Sequence, residues 1–406
     1  MAQLLDHQPF LIKMNKRWFL WVVGFLGLII SFLFSLWYFQ ETPVISPLSS
    51  LTTFNFINQL ISSNDKIVYG FVPYWTLDDV EVQPELTHLA YFGLTIGADG
   101  SIITRQDGGL EPGYHNLQSD KFLELSQQMN TQNKSVEIVL SQFDNDTIVS
   151  LLTNKKSTQN LLTSLDSILL AYPVNGINLD IEYAGPITDS LRSKMVDLVA
   201  AINQHLEQKY EHIQLSIDMY ASAASRRQIW DVENIGPNVD YIVVMAYDFH
   251  QRSSSQAGPV APLFGGDESW DSDINQHLAD FVKLVPKEKL LLGVPFYGYE
   301  WQTTSREPQA HTFPKTGSTA SFKRVKNIMS ESEVLQVEEG WNEQALSPYL
   351  SYIEDNEIFV VYYENSRSLS YKLDYVNQLN LGGISIWALG YEDSTRELWD
   401  VIDRKL

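Results

Sequence analysis

Eight short, nearly continuous apolar runs constrain this chain more than any other feature. They read IVYGFVP (Ile67–Pro73), THLAYFGL (Thr87–Leu94), VEIVLS (Val136–Ser141) and GINLDIE (Gly176–Glu182), then QLSIDM (Gln214–Met219), YIVVMAY (Tyr241–Tyr247), LLLGVPF (Leu290–Phe296) and GGISIWAL (Gly382–Leu389). Most are β-branched and apolar on both parities, the pattern of strands covered on both faces of a parallel sheet. Helix-length amphipathic segments separate several of them, as in Ser190–Gln208. Eight such alternations predict an α/β fold, a (β/α)8 TIM barrel whose sheet closes on itself. A doubly wound open sheet is the alternative, and eight regular units favour closure. The spacing breaks between the seventh and eighth runs. Tyr299 to about Arg367 is too long for one helix, and its segments FKRVKNIMS, YLSYIEDN and EIFVVYYEN read as a helix and two antiparallel strands. A small α+β insertion over about 299–367 is therefore expected on the C-terminal rim, where barrel active sites lie.

Ahead of the barrel, Trp18–Phe39 contains no charged residue and is long enough to cross about 30 Å of hydrocarbon as a helix. Trp18, Trp21, Trp37 and Tyr38 stand near its ends, as interfacial aromatics do. Lys13, Lys16 and Arg17 precede it, so the positive-inside rule places residues 1–17 in the cytoplasm and the rest outside. The expected organisation is thus a cytoplasmic 1–17, a single-pass transmembrane signal-anchor at 18–39, a stalk rich in Ser, Thr, Asn and Pro at 40–65, and a barrel at 66–406. A short helix within the stalk around Phe54–Ile61 fits its pattern. A cleaved signal peptide has a shorter apolar core of about 7–15 residues ending in small side chains. Leu36-Trp37-Tyr38-Phe39 is the opposite kind of sequence.

Composition removes several function classes. The formal net charge of −22 repels phosphate backbones, so nucleic acid is not expected as a partner. The absence of cysteine excludes disulfides, thiol nucleophiles and thiolate-bound zinc. The eight histidines show no metal-ligand spacing, and neither a phosphate-binding glycine loop in strand-to-helix context nor a G-x-S-x-G elbow is present. No metal and no cofactor are expected.

One run carries chemistry in its parity. In Gly176–Glu182 the residues Asn178, Asp180 and Glu182 alternate with apolar ones, so their side chains share a face, spaced by roughly 7 Å. Polar groups directed into a barrel interior need partners or a substrate. Glu182 falls at the carboxyl end of the run, the catalytic position of this architecture. Geometry alone leaves a structural ion-pair role equally open.

Val174–Tyr183 resembles the signature of glycoside hydrolase family 18, the chitinases and their relatives. Three further segments agree in the same order. Met245-Ala246-Tyr247-Asp248 is similar to the family's M-x-Y-D motif, Leu292–Gly298 to its seventh strand, and Gly383–Trp387 to its eighth, with the tryptophan that floors the sugar site. The resemblance runs from about Lys66 to the C-terminus. It implies hydrolysis of β-1,4-linked N-acetylglucosamine polymers by a substrate-assisted retaining mechanism, in which the substrate's acetamide attacks instead of an enzyme carboxylate. On that reading Glu182 is the acid and base, Asp180 orients the acetamide, and Tyr247 donates to the acetamido oxygen. Asp248, Met245, Trp387, Asn178 and Tyr74 form the substrate-binding set. Family chitinases usually carry Asp where this chain has Asn175 and Asn178, and their third-strand S-x-G-G is replaced by Ser141-Gln142-Phe143-Asp144. With Gly258–Leu263 and the rim insertion, these departures resemble the bacterial branch of spore-cortex and cell-wall glucosaminidases, which points to peptidoglycan as well as chitin. An amide at 178 also implies that Asp180 ionises with no like-charged neighbour behind it. A silent glycan-binding relative or a wall-interaction scaffold is the competing class. Silent relatives usually lose the acid at the position of Glu182, and this chain retains it. Oligomeric state is not legible in the sequence.

Overall fold

The computed structural model describes residues 66–392 and 394–406. The anchor expected at 18–39 and the stalk to 65 lie outside the described residues. Eight parallel strands close into a barrel. They are β1 (Ile67–Pro73), β2 (His88–Thr95), β3 (Ser135–Gln142), β4 (Gly176–Ile181), β5 (Gln214–Tyr220), β6 (Tyr241–Met245), β7 (Leu290–Pro295) and β8 (Gly383–Trp387). Each pairs with the next in sequence, and β8 returns to β1 through Ile67↔Gly383, so the open-sheet alternative is excluded. The strands form where apolar residues can be covered on both sides. Outward residues such as Leu89, Ile177 and Leu215 lie under the helices. Inward ones such as Tyr69, Phe71, Ala90, Val139, Val243 and Leu291 meet in the barrel centre.

The helix Asp189–Lys209 after β4 shows how the outer ring is held. Leu191, Met195, Leu198, Val199, Ile202 and Leu206 recur at helical spacing and are its buried face. Thr188 caps its start by accepting from the Leu191 N–H at 3.1 Å. The ring is less regular than the eight-unit pattern implies. Between β1 and β2 there is only a single 3-10 turn, Leu77–Asp79, and β5 is followed by helical pieces of four residues or fewer. No helix among the described residues is long and apolar enough to cross a membrane.

Between β7 and β8 the chain builds a five-stranded antiparallel sheet in the order Ser318–Ser321, Tyr297–Thr303, Glu357–Tyr362, Ser347–Glu354, Glu338–Asn342. The expected helix is Phe322–Ser330 and the expected strand pair is the hairpin of the 347–354 and 357–362 strands. The other three strands were not expected, and the first begins one residue after β7 ends. Period-two alternation gives the sheet two faces. Tyr297, Tyr299, Trp301, Val360 and Tyr362 pack on the barrel rim with Ala257 and Val260, while Leu350, Tyr352, Val361 and Tyr363 pack on Val325, Ile328 and Leu335. The rim face brings Tyr297 and Tyr299 beside the end of β6.

Candidate active site

The carboxyl ends of the strands surround a cleft of about 800 Å³. β4 supplies Asp180 and Glu182 to its wall. β5 adds Asp218 and Tyr220, β6 and its exit add Met245, Tyr247 and Asp248, and β8 adds Trp387. These segments meet because each places every second residue inward and their ends are level in the sheet.

Glu182 follows the last residue of β4, its backbone N–H donating to the Gln142 carbonyl at 3.0 Å, so the strand frame fixes its direction. Burial lifts its carboxyl above the ordinary value. A hydrogen bond donated by the Tyr220 hydroxyl opposes that rise, and the Asp248 charge adds to it. A carboxyl whose proton is held more tightly than usual, at the mouth of a cleft, can act as a general acid. Asp180 lies deeper, 4% exposed, with Oδ1 lacking any hydrogen-bond partner in the protein. Burial, then Asp218, then Glu182 raise it well above the carboxylate range. The charge of Asp218 corrects the expectation from Asn178: the like-charged neighbour of Asp180 exists, but it comes from β5.

Asn178 does not line the cleft. It is fully buried one pleat below Asp180, and its amide donates to Ser216 Oγ at 2.9 Å and to Asp218 Oδ1 at 2.8 Å. Ser216 in turn donates to Glu137 Oε2 at 2.7 Å, which also accepts from the Tyr69 hydroxyl at 2.8 Å. The barrel interior thus carries a polar chain from β3 to the floor of the cleft. Burial pushes Glu137 up to about 7. Asn175 stands outside this chain, its Oδ1 accepting from the Val136 N–H at 2.7 Å below the strands.

Tyr247 remains a hydroxyl donor, because burial and the surrounding carboxyls of Asp218, Asp180, Asp248 and Glu182 all disfavour its anion. Its ring fits because position 293 on β7 is glycine. A Cβ there would come within 2.9 Å of the ring and 2.5 Å of the Val244 carbonyl. Asp248 takes a left-handed backbone, φ 61°, which Asp tolerates better than most residues. That turn aims its carboxyl at the hydroxyls of Tyr297 and Tyr299, the latter donating at 2.8 Å. Trp387 ends β8, its ring edge-on to Phe92 at 5.0 Å and tilted on Phe71 at 5.6 Å. Its bond to Ala388 is cis.

Tyr74 is the one expected cleft residue above the floor that the structure turns away. Beyond Pro73 the chain turns, and it is Trp75, 50% exposed, that stands on the cleft wall, while Tyr74 is not among the residues lining the cleft. The ring of Tyr74 packs edge-on against Trp75 at 5.0 Å. The wall also gains Phe143. In Ser141–Asp144, Gln142 Oε1 accepts from the N–H groups of Phe143 and Asp144, and Asp144 caps the helix Asn145–Thr153. The substitution for S-x-G-G thereby builds a rigid turn that exposes an aromatic ring. Asp218 and Tyr220 had a signal in the sequence, since Ser216, Asp218 and Tyr220 alternate as Asn178, Asp180 and Glu182 do. Among the described residues no His, Asp or Glu cluster is arranged to hold a metal ion.

A closed parallel barrel with an acid carboxyl and aromatic walls at its C-terminal mouth defines a barrel hydrolase of the carbohydrate-cleaving class. The chain belongs to the glycosyl hydrolases family 18, whose family model matches residues 40–392, and it is a glycoside hydrolase. Among its relatives is the uncharacterized glycosylase YvbX of Bacillus subtilis, 27% identical over 266 residues, covering 64% of this chain and 70% of that protein. Two solved structures share the fold. A family-18 chitinase of Cycas revoluta in complex with (GlcNAc)4 superposes with a TM-score of 0.70 at 19% identity, covering 84% of this chain and 99% of that one. The spore cortex-lytic enzyme SleL of Bacillus megaterium does so with a TM-score of 0.65 at 17% identity, covering 85% and 75%.

Proposed function

We propose that the protein is a membrane-anchored, extracytoplasmic hydrolase of β-1,4-linked N-acetylglucosamine polymers, acting by substrate-assisted retention. The observation that carries this reading is the convergence of Glu182, Asp180 and Tyr247 on one cleft that ends on Trp387. The bound (GlcNAc)4 of the Cycas neighbour supports the sugar, and SleL supports cell-wall glycan as its source.

In the proposed reaction the sugar at the cleavage point lies over the Trp387 ring, whose apolar face matches the sugar's. Glu182 gives its proton to the glycosidic oxygen as that bond breaks. The acetamido oxygen of the same sugar closes on the anomeric carbon, forming an oxazolinium ion. The Tyr247 hydroxyl donates to that oxygen, and ionised Asp180 holds the acetamide N–H and offsets the positive charge. Glu182, now ionised, takes a proton from the water that opens the ring, restoring both groups with the anomeric configuration retained.

The deciding experiment follows products released from chitin oligomers and from purified peptidoglycan, side by side, with wild type and Glu182→Gln. General acid–base assistance is worth about 10²–10⁴-fold, so the amide variant should lose turnover on that scale while still binding glycan. Full activity in Glu182→Gln, or no cleavage of either polymer by wild type, overturns the reading. A thiazoline mimic of the oxazolinium should inhibit, whereas a trapped glycosyl ester on a carboxylate would rule out substrate assistance. The anchor has its own test. Protease added to spheroplasts should digest a membrane-bound barrel, and a soluble mature chain starting after Phe39 would end that part of the proposal.

A further inference from the structure

Three observations single out Asp218, a residue that the family resemblance does not assign. It is 3% exposed, it lines the cleft floor, and it accepts the Asn178 amide at 2.8 Å. The strand register explains the contact. Asn178 on β4 lies opposite Ser216 on β5, so the next inward positions are Asp180 and Asp218, on strands about 4.8 Å apart. The two carboxyls are neighbours across the sheet.

The amide at 178 and the carboxyl at 218 fit each other chemically. An amide NH2 has two donors. One meets Ser216, whose own proton is committed to Glu137, and the other meets Asp218. A carboxylate at 178 has neither donor. The chain therefore has its second carboxyl on β5 and its donor on β4. We propose, resting on the hydrolase reading above, that Asp218 is the positioning carboxyl of the site: it shares one proton with Asp180, so the pair carries a single negative charge while Glu182 carries its own proton. The shared proton stays on the pair throughout. Glu182 supplies and recovers the proton that the reaction moves.

The titratable groups facing Asp218 come from every side of the barrel. Glu137 lies below it on β3 and Tyr69 on β1, Asp180 and Glu182 stand beside it on β4, and Tyr247 reaches over from the β6 exit. None is a cation, so removing the Asp218 charge acts in one direction. Each remaining carboxyl loses a repelling neighbour and ionises at lower pH.

The test is Asp218→Asn, which keeps size and a polar contact for Asn178. The acidic limb of kcat/KM reports ionisation of Asp180 and the basic limb loss of the Glu182 proton. Both limbs should move to lower pH by on the order of one unit. The exchange Asn178→Asp/Asp218→Asn returns a carboxyl to the pair from the other strand, and its limbs should move back toward wild type. A purely structural Asp218 would lower stability without moving the limbs. Superimposable limbs in folded, active Asp218→Asn overturn the proposal. A second readout separates this failure from that of the hydrolase reading. With 13C-carboxyl aspartate in the full chain, the Asp180 titration midpoint should fall in Asp218→Asn whether or not a glycan is cut, and an unchanged midpoint refutes the pairing.

Discussion

Replacing Asn178 by Asp tests the buried polar chain without reference to turnover. The side chain is fully buried, and its amide nitrogen stands 2.8 Å from Asp218 Oδ1. In Asn178→Asp that contact brings two carboxyls together with charge centres about 4 Å apart. At an effective dielectric of about 20 their repulsion is about 4 kcal/mol, equivalent to about three pH units. Burial acts in the same direction, so the folded-state pKa of the new carboxyl rises from about 3.9 to about 7 or above. The sign follows from proton binding. A group whose folded pKa is raised has its full stability below its unfolded pKa and loses it as pH climbs toward the folded one. The variant should therefore be weaker than wild type by about 1.5 kcal/mol at pH 5 and by about 4 kcal/mol at pH 7.5 from this term alone. Urea unfolding of both proteins at the two pH values measures the gap. A gap that does not widen with pH would refute the placement of position 178 against Asp218.

Two further outcomes follow from buried charge elsewhere. Glu137 has a folded pKa of about 7 and an Oε1 without a partner. Glu137→Gln should therefore gain on wild type by roughly 2–3 kcal/mol between pH 5 and pH 8, read as diverging urea midpoints, and parallel midpoints would count against a raised Glu137. Lys372 and Glu364 form an ion pair at 2.8 Å with both side chains essentially unexposed. Lys372→Ala leaves Glu364 buried alone and should cost about 3–5 kcal/mol, whereas Lys372→Met with Glu364→Gln should recover most of it, as thermal melts will show.

The barrel was legible because burial on both faces leaves an unmistakable composition in every strand, and because the strands recur in order. The insertion was legible only where its elements stand alone. Phe322–Ser330 has a clear helical stripe, and the 347–354 and 357–362 strands are joined by a tight turn. Tyr297–Thr303 was hidden because it follows β7 after a single residue, with no connecting segment to separate two strands of different sheets. Its alternating Tyr297, Tyr299 and Trp301 had the right period, but no turn marked its start.

At the site, parity along a single strand found Asn178, Asp180 and Glu182, and it failed where the answer lies between strands. Tyr74 entered the substrate-binding set through the family resemblance, whereas the structure puts its neighbour Trp75 on the cleft wall. Asp218 was overlooked because its meaning depends on register: Ser216 must sit opposite Asn178 before Asp218 can stand beside Asp180. An amide where the family usually has a carboxylate looks like a lost charge in one strand. Across two strands it is a donor matched to a charge that lies on the neighbour. The unit that specifies this site is therefore the β4–β5 pair, and a substitution at 178 has no defined effect until the residue at 218 is stated. For that reason the exchange of the two side chains should be milder than either single change, and a double variant as impaired as the sum of the two singles would show that the residues act independently.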